Sequence, residues 1–135
     1  MGMTIIEKIL ARASGKASVK PGDIAVCTPD MVVQLDLTIT IDGMWYRPKK
    51  IFDLDRVALV FDHAIPAPSI KDAAGMAEGR EFAKQFGLKN FYDVGKHGIC
   101  HVIIAENGLA RPGELLVCPD SHTCASGALN CAGRG

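Results

Sequence analysis

The sequence has no net charge to offer a polyelectrolyte: its 15 basic residues are balanced by 15 acidic ones. That excludes a strongly basic nucleic-acid arm and an acidic tail. It also lacks any run near the roughly 18–20 continuous apolar residues that span a bilayer. Its start, MGMTIIEKILARASG, places Glu7 where a secretory leader is basic and then apolar, and Ile6 where a myristoylation signal needs Ser or Thr. Neither a nucleic acid nor a membrane is therefore expected as a partner. The five cysteines (Cys27, Cys100, Cys118, Cys124 and Cys131) are odd in number and without small-scaffold spacing, which points to a reducing, cytoplasmic location. They form neither the C-x-x-C pair of a structural zinc site nor the close triad of a ferredoxin. Phosphate-loop and dinucleotide fingerprints are missing too. What is present is 48% hydrophobic residues over 135 positions, enough for one domain with a real core and no second domain.

Local signals alternate along the chain. Thr4 and Glu7 make a capping box ahead of Ile5, Ile6, Ile9, Leu10 and Ala13 at helical spacing, with Gly15 to end the helix. Lys20-Pro21-Gly22-Asp23 is a turn, and IAVC at 24–27 reads as a short buried strand. In residues 30–42, Val33, Leu35, Leu37, Ile39 and Ile41 alternate as in a half-buried strand, with a helical turn from Asp30 as the other option. GMWYRPKK, 43–50, is a hairpin or an excursion that lays Trp45 and Tyr46 on another surface. RVALVF, 56–61, is a buried strand that runs into Asp62-His63. A second helix fits 69–86, started by Ser69 and Asp72, with Ile70, Ala73, Ala74, Ala77, Phe82 and Phe86 as its apolar stripe; Gly75 and Gly79 either weaken it or permit close packing. A short helix around His101 fits 95–108, and Pro112-Gly113 turns the chain into the strand LLVCP, 115–119. The final GALNCAGRG has no closing helix or strand signal. This alternation indicates an α/β fold with a parallel sheet.

Chemistry falls at two strand ends, Asp62-His63 and Asp120-Ser121-His122-Thr123. Loops beyond the carboxyl ends of parallel strands converge over a crevice, so both motifs are expected in one site. His63 can exchange a proton near neutral pH, with Asp62 to orient it if the chain bends, because neighbours on a strand face opposite ways. At the second motif, a histidine moves protons, a serine binds a substrate oxygen and an aspartate orients an imidazole. Consecutive Asp-Ser-His is not a hydrolase triad, and a local capping network is the competing reading. His101, set among Ile99, Cys100, Val102, Ile103 and Ile104, reads as a satisfied core histidine.

Taken in order, TIIEKILARASG, VKPGDIAV, VALVFDH, HGICHVIIAENG and ARPGELLVCPDSHTCASGA resemble the large subunit of the aconitase superfamily, of the 3-isopropylmalate dehydratase, homoaconitase and dialkylmalate dehydratase type. The resemblance runs from about Met3 to Gly135 and implies a three-layer α/β/α domain of which residues 1–135 are an incomplete N-terminal portion. It implies reversible dehydration of a hydroxylated di- or tricarboxylate, 3-isopropylmalate or a related alkylmalate first. It further implies a [4Fe–4S] cluster whose cysteine ligands are expected downstream, and a small subunit or swivelling domain that carries the base serine. By resemblance, Asp62 orients His63, His63 is the acid for the leaving hydroxyl, and His101 with Asp120 is the supporting pair. Ser121 then binds substrate oxygen and His122 lies near the hydroxyl. Leu35, Val102 and Pro119 depart from the family pattern at positions usually polar or small. Two other readings stand beside it: a divalent-metal hydrolase with His63, His101, His122 and Asp120 as ligands, and a noncatalytic structural fragment.

Overall fold

The computed structural model describes residues 2–41 and 44–135. Five strands, β1 (Met31–Leu35), β2 (Val57–Val60), β3 (Asn90–Tyr92), β4 (Leu115–Val117) and β5 (Ala132–Arg134), lie parallel in one sheet in the order β3-β2-β1-β4-β5. The chain starts at the centre, moves outward through β2 and β3, then returns to the other side of β1. Strand alternation sorts the core. Val33, Leu35, Ala58, Val60, Leu116 and Cys118 face α4 (Cys100–Glu106) through Cys100, Ile103 and Ile104. On the opposite face, Leu59 and Phe61 meet Ile39 of α2 (Asp36–Thr40) and Met76 and Phe82 of α3 (Ile70–Phe86). Leu115 and Ala132 meet Ile9 of α1 (Ile5–Ser14). The result is a three-layer α/β/α domain, as the resemblance implied.

Local chemistry explains where the helices sit. Thr4 caps α1 reciprocally with Glu7, whose carboxylate accepts from the Thr4 amide at 2.6 Å. Arg12 donates both guanidinium nitrogens to Asp30, and Asp30 also accepts from the Leu115 amide at 2.8 Å, so one carboxylate joins α1, the start of β1 and β4. Ser69 caps α3 as expected, accepting from the Asp72 amide. The buried stripe of α3 differs from the expected one: Met76, Gly79, Phe82 and Ala83 face inward, whereas Ile70 is 91% exposed and Ala73, Ala74 and Ala77 face solvent. The glycines choose that face. A Cβ at Gly79 would lie 2.9 Å from Ile39 Cδ1 and 3.0 Å from Phe61 Cζ, and one at Gly75 would lie 2.9 Å from Thr40 Cγ2. Their bare backbones let α3 close on α2 and β2.

Three expectations, for residues 24–27, for 30–42 and for the tail, are corrected, and the excursion expected at 43–50 is seen where the residues are described. Residues 24–27 are not a strand: Ile24 and Val26 are 88% and 87% exposed, and the segment is tied to α1 by Lys16 Nζ donating to the Ile24 carbonyl and the Thr28 amide to that of Ala13. Four apolar residues signal extension, but only a neighbouring strand makes a ladder. In 30–42 neither the continuous strand nor a helix from Asp30 forms; the ladder ends at Leu35 and α2 begins at Asp36. There Asp36 accepts from the Leu37 amide and the Thr38 hydroxyl donates to the Leu35 carbonyl, side-chain bonds that compete with strand pairing. The expected element at 43–50 begins at Gly43, outside the described residues. From Met44 it is an irregular excursion, with Trp45 edge-on to Phe82 at 5.3 Å and its indole N–H donating to Glu78, while Tyr46 is exposed. Last, the tail does close the sheet. A 3-10 segment, Thr123–Leu129, leads into β5, which pairs with β4. A Cβ at Gly133 would lie 2.1 Å from the Thr123 carbonyl oxygen, so the small residues that hid this strand are what allow the 3-10 segment to lie on it. Strand β3, three residues long, carried no signal.

Candidate functional site

Because all five strands are parallel, β1, β2 and β4 deliver their following residues to one end of the sheet. Those residues are Asp36, Asp62-His63 and Asp120. Strand order reverses between β1 and β4, the place where open α/β sheets leave a crevice for ligands. Strand β1 lies between β2 and β4, so the two expected motifs are next-nearest neighbours rather than adjacent.

Asp120 is the hub. Its Oδ1 accepts from His101 Nε2 at 2.7 Å and from the His122 amide at 2.8 Å, and lies 3.2 Å from His122 Nδ1. Its Oδ2 faces His63 Nε2 at 3.5 Å. Burial is the largest single influence on this carboxyl and pushes its pKa up. The bonds from His101 and His122, with the His101 charge, outweigh that and hold it below the usual carboxylate value. The loop that presents it is held from below: Thr123 Oγ1 donates to the carbonyls of Cys118 and Asp120, at 3.0 and 2.6 Å. The three ring side chains differ in exposure, 19% for His101, 36% for His63 and 80% for His122. His101 is thus an internal support, and His63 and His122 are the more exposed rings. Ser121 is exposed beside them, its Oγ 3.3 Å from His122 Nδ1.

His101 is not the satisfied core histidine that its apolar neighbours suggested. Its Nε2 reaches Asp120, while its buried Nδ1 has no hydrogen-bond partner among the described residues. Asp62 does not bond the His63 ring directly: the closest approach, Oδ2 to Nδ1, is 3.8 Å, and that oxygen accepts from the Cys100 amide at 2.7 Å, capping α4. Asp62 therefore sets the position of α4, and with it His101. Sequence reasoning passed over Asp36, which is fully buried and accepts from the amides of His63 and Ala64 at 3.2 and 2.7 Å. The signal for it was an acid at the end of a strand, the same signal that exposed Asp62 and Asp120. Leu35, where the family pattern is polar, is buried in the core; Val102 is half-exposed and Pro119 is exposed.

The thiols do not fit an iron–sulfur cluster. Cys100 and Cys118 are fully buried with sulfurs 3.8 Å apart, Cys131 donates to the Glu114 carbonyl, Cys27 contacts the Leu10 carbonyl, and Cys124 is exposed. Contact with Cys118 and burial push the Cys100 thiol up, and burial does the same to Cys131, the reverse of what a thiolate ligand needs.

With this geometry in place, likeness to known proteins is informative. The aconitase family profile (aconitate hydratase) matches residues 7–135. The chain is 60% identical over 135 residues to the 3-isopropylmalate dehydratase large subunit of Mycolicibacterium smegmatis, covering all of this chain and 32% of that protein. It is 43% identical over 138 residues to the 3-isopropylmalate dehydratase large subunit 1 of Pyrococcus abyssi, and 41% identical to the probable 3-isopropylmalate dehydratase large subunit of Methanothermobacter thermautotrophicus. Each match covers this whole chain and 33% of the relative. The chain thus spans about a third of the length of the curated relatives it matches.

Proposed function

Because the chain belongs to the aconitase family, we propose that the whole protein is a hydro-lyase that reversibly dehydrates a hydroxylated dicarboxylate, with 3-isopropylmalate or a related alkylmalate as substrate. The single observation that carries this reading is the convergence of His63, His101 and His122 on Asp120 at the carboxyl end of the parallel sheet. The alkylmalate comes from the relatives, which are 3-isopropylmalate dehydratase large subunits.

In this reading His63 is the general acid. Its Nε2 edge lies at the opening beside Asp120, and the ring hands a proton to the departing hydroxyl, which leaves as water when the C–O bond breaks. His101 and Asp120 hold one another and so fix the shelf on which His122 and Ser121 meet the hydroxyl and a substrate oxygen. Asp62 locks α4 beneath them. The base that takes the proton from the adjacent carbon is assigned to a serine of a small subunit or swivelling domain. A [4Fe–4S] cluster, implied by the family, finds no ligand set in the five thiols described above. Its cysteine ligands are assigned to a part of the parent beyond these 135 residues.

The test is a whole enzyme with its swivelling partner, reconstituted anaerobically with iron and sulfide. It is offered isopropylmalate, dimethylmalate, homocitrate and citrate side by side. Turnover of an alkylmalate, lost in His63→Ala with the cluster absorbance retained, is the expected result. No turnover of any of the four, or full turnover in His63→Ala, rejects the reading.

One observation favours a second reading, a divalent-metal site. Ligand atoms of His101, Asp120 and His122 all lie within 4.8 Å of one another. Against it, His101 Nε2 and Asp120 Oδ1 are 2.7 Å apart, a hydrogen-bond contact and shorter than the roughly 3.3 Å that separates two tetrahedral ligands about 2.0 Å from zinc. Stoichiometric zinc binding by the chain, abolished in His122→Ala, would reverse that preference.

A further inference from the structure

We propose that Asp36 is a positioning residue for His63: its buried carboxylate holds the turn that carries the ring and sets a negative charge against the Nδ1 edge. Its link to turnover rests on the reading of His63 as the acid; its grip on the turn does not.

Asp36 is fully buried, where a carboxylate is expensive unless its oxygens are hydrogen-bonded. It has three main-chain donors: Leu37 at 2.9 Å and His63 at 3.2 Å to Oδ1, and Ala64 at 2.7 Å to Oδ2. An aspartate that served only its own helix would need the first. The other two come from the turn after β2, 27 and 28 residues away in sequence. Asp62 does not duplicate this role, since its Oδ2 is given to the Cys100 amide. Around the ring, the Nδ1 edge faces Asp36 Oδ1 at 4.0 Å and Asp62 Oδ2 at 3.8 Å, and the Nε2 edge faces Asp120 Oδ2 at 3.5 Å. His101 and His122 stand behind Asp120. A positive ring is therefore compensated on both edges, and Asp36 is the only one of the three acids that also grips the His63 backbone. Asparagine at this position keeps the shape, loses the charge and turns an amino group toward one of the donors.

In the assembled enzyme, Asp36→Asn is expected to lower kcat about 10- to 100-fold per folded active site, with KM for isopropylmalate within about twofold, the signature of a displaced acid rather than lost binding. A purely structural residue would reduce the folded fraction and leave kcat per site unchanged, which would overturn the link to turnover. The 135-residue chain gives a readout free of activity: amide exchange at His63 and Ala64 should rise at least about tenfold in Asp36→Asn, and unchanged protection overturns the proposal. If the wild-type enzyme turns over none of the four substrates, the acid reading fails, and amide exchange alone still decides whether Asp36 holds the turn. Should Asp36→Asn not fold, the wild-type chain decides: a scalar coupling across the hydrogen bond between the Ala64 amide nitrogen and the Asp36 carboxylate carbon is expected. Its absence counts against the proposal.

Discussion

Asp120 shows how one buried side chain organises several exposed ones. It takes hydrogen bonds from His101 and His122 on one oxygen and leaves the other for His63. Replacing it with asparagine should lower stability by about 1–3 kcal/mol, because donors arranged for a carboxylate lose an acceptor. The effect has a definite pH sign. The folded carboxyl is held below its unfolded value, so its stabilisation is complete above roughly pH 4 and is lost as pH falls through the folded value. Urea titrations should therefore show a wild-type advantage over Asp120→Asn that is constant near neutrality and narrows in acid. An advantage that grows in acid would contradict the assignment.

At the scale of elements, the contact between α2, α3 and β2 depends on absent side chains. Gly→Ala at an exposed helix position gains about 1 kcal/mol in propensity. At Gly79 the added methyl meets Ile39 and the buried Phe61 ring at 2.9–3.0 Å. Overpacking of this kind costs about 1–3 kcal/mol, so Gly79→Ala should lower the melting temperature rather than raise it. The same scale holds the Asp30 junction. Arg12 is half-exposed, so the ion pair itself contributes little, but the Leu115 amide loses its acceptor when the carboxylate is removed. Asp30→Ala should cost about 1–3 kcal/mol and loosen the start of β1, read as faster exchange of the Leu115 amide.

For the molecule as a whole, acid is the condition to watch. Asp30, Asp93 and Asp120 are all held below the usual carboxylate value, the first two chiefly by hydrogen bonds from Arg12 and Arg80. Three depressed carboxyls add in sign: stability is retained above about pH 4 and falls as pH drops through their folded values. The urea midpoint at pH 3 should lie well below that at pH 7, and Asp93→Asn should flatten the difference. No helix among the described residues is long and apolar enough to cross a membrane. Anaerobic treatment of the 135-residue chain with iron and sulfide should yield no [4Fe–4S] absorbance, because its thiols do not gather into an accessible ligand set: Cys100, Cys118 and Cys131 are buried, Cys27 is half-buried and Cys124 is exposed. A stoichiometric chromophore would contradict that.

Elements whose signals are local could be read from the sequence alone. The capping box of α1, the Ser69 start of α3, and the buried runs of β2 and β4 each rest on residues within a few positions of one another. His63, Ser121, His122 and their aspartates were visible for the same reason, as polar residues set where apolar strands stop. Partners distant in sequence were not. IAVC stayed a loop because no strand lies beside it, and AGR became β5 because β4 does. The inward face of α3 was set by Ile39 and Phe61, not by its own periodicity. The burial of Asp36 beneath His63 goes with hydrogen bonds to amides 27 and 28 residues away. Composition and spacing specify what each segment prefers. Only the packed sheet decides which segments meet, because a hydrogen bond or a buried face needs its partner in place before it counts.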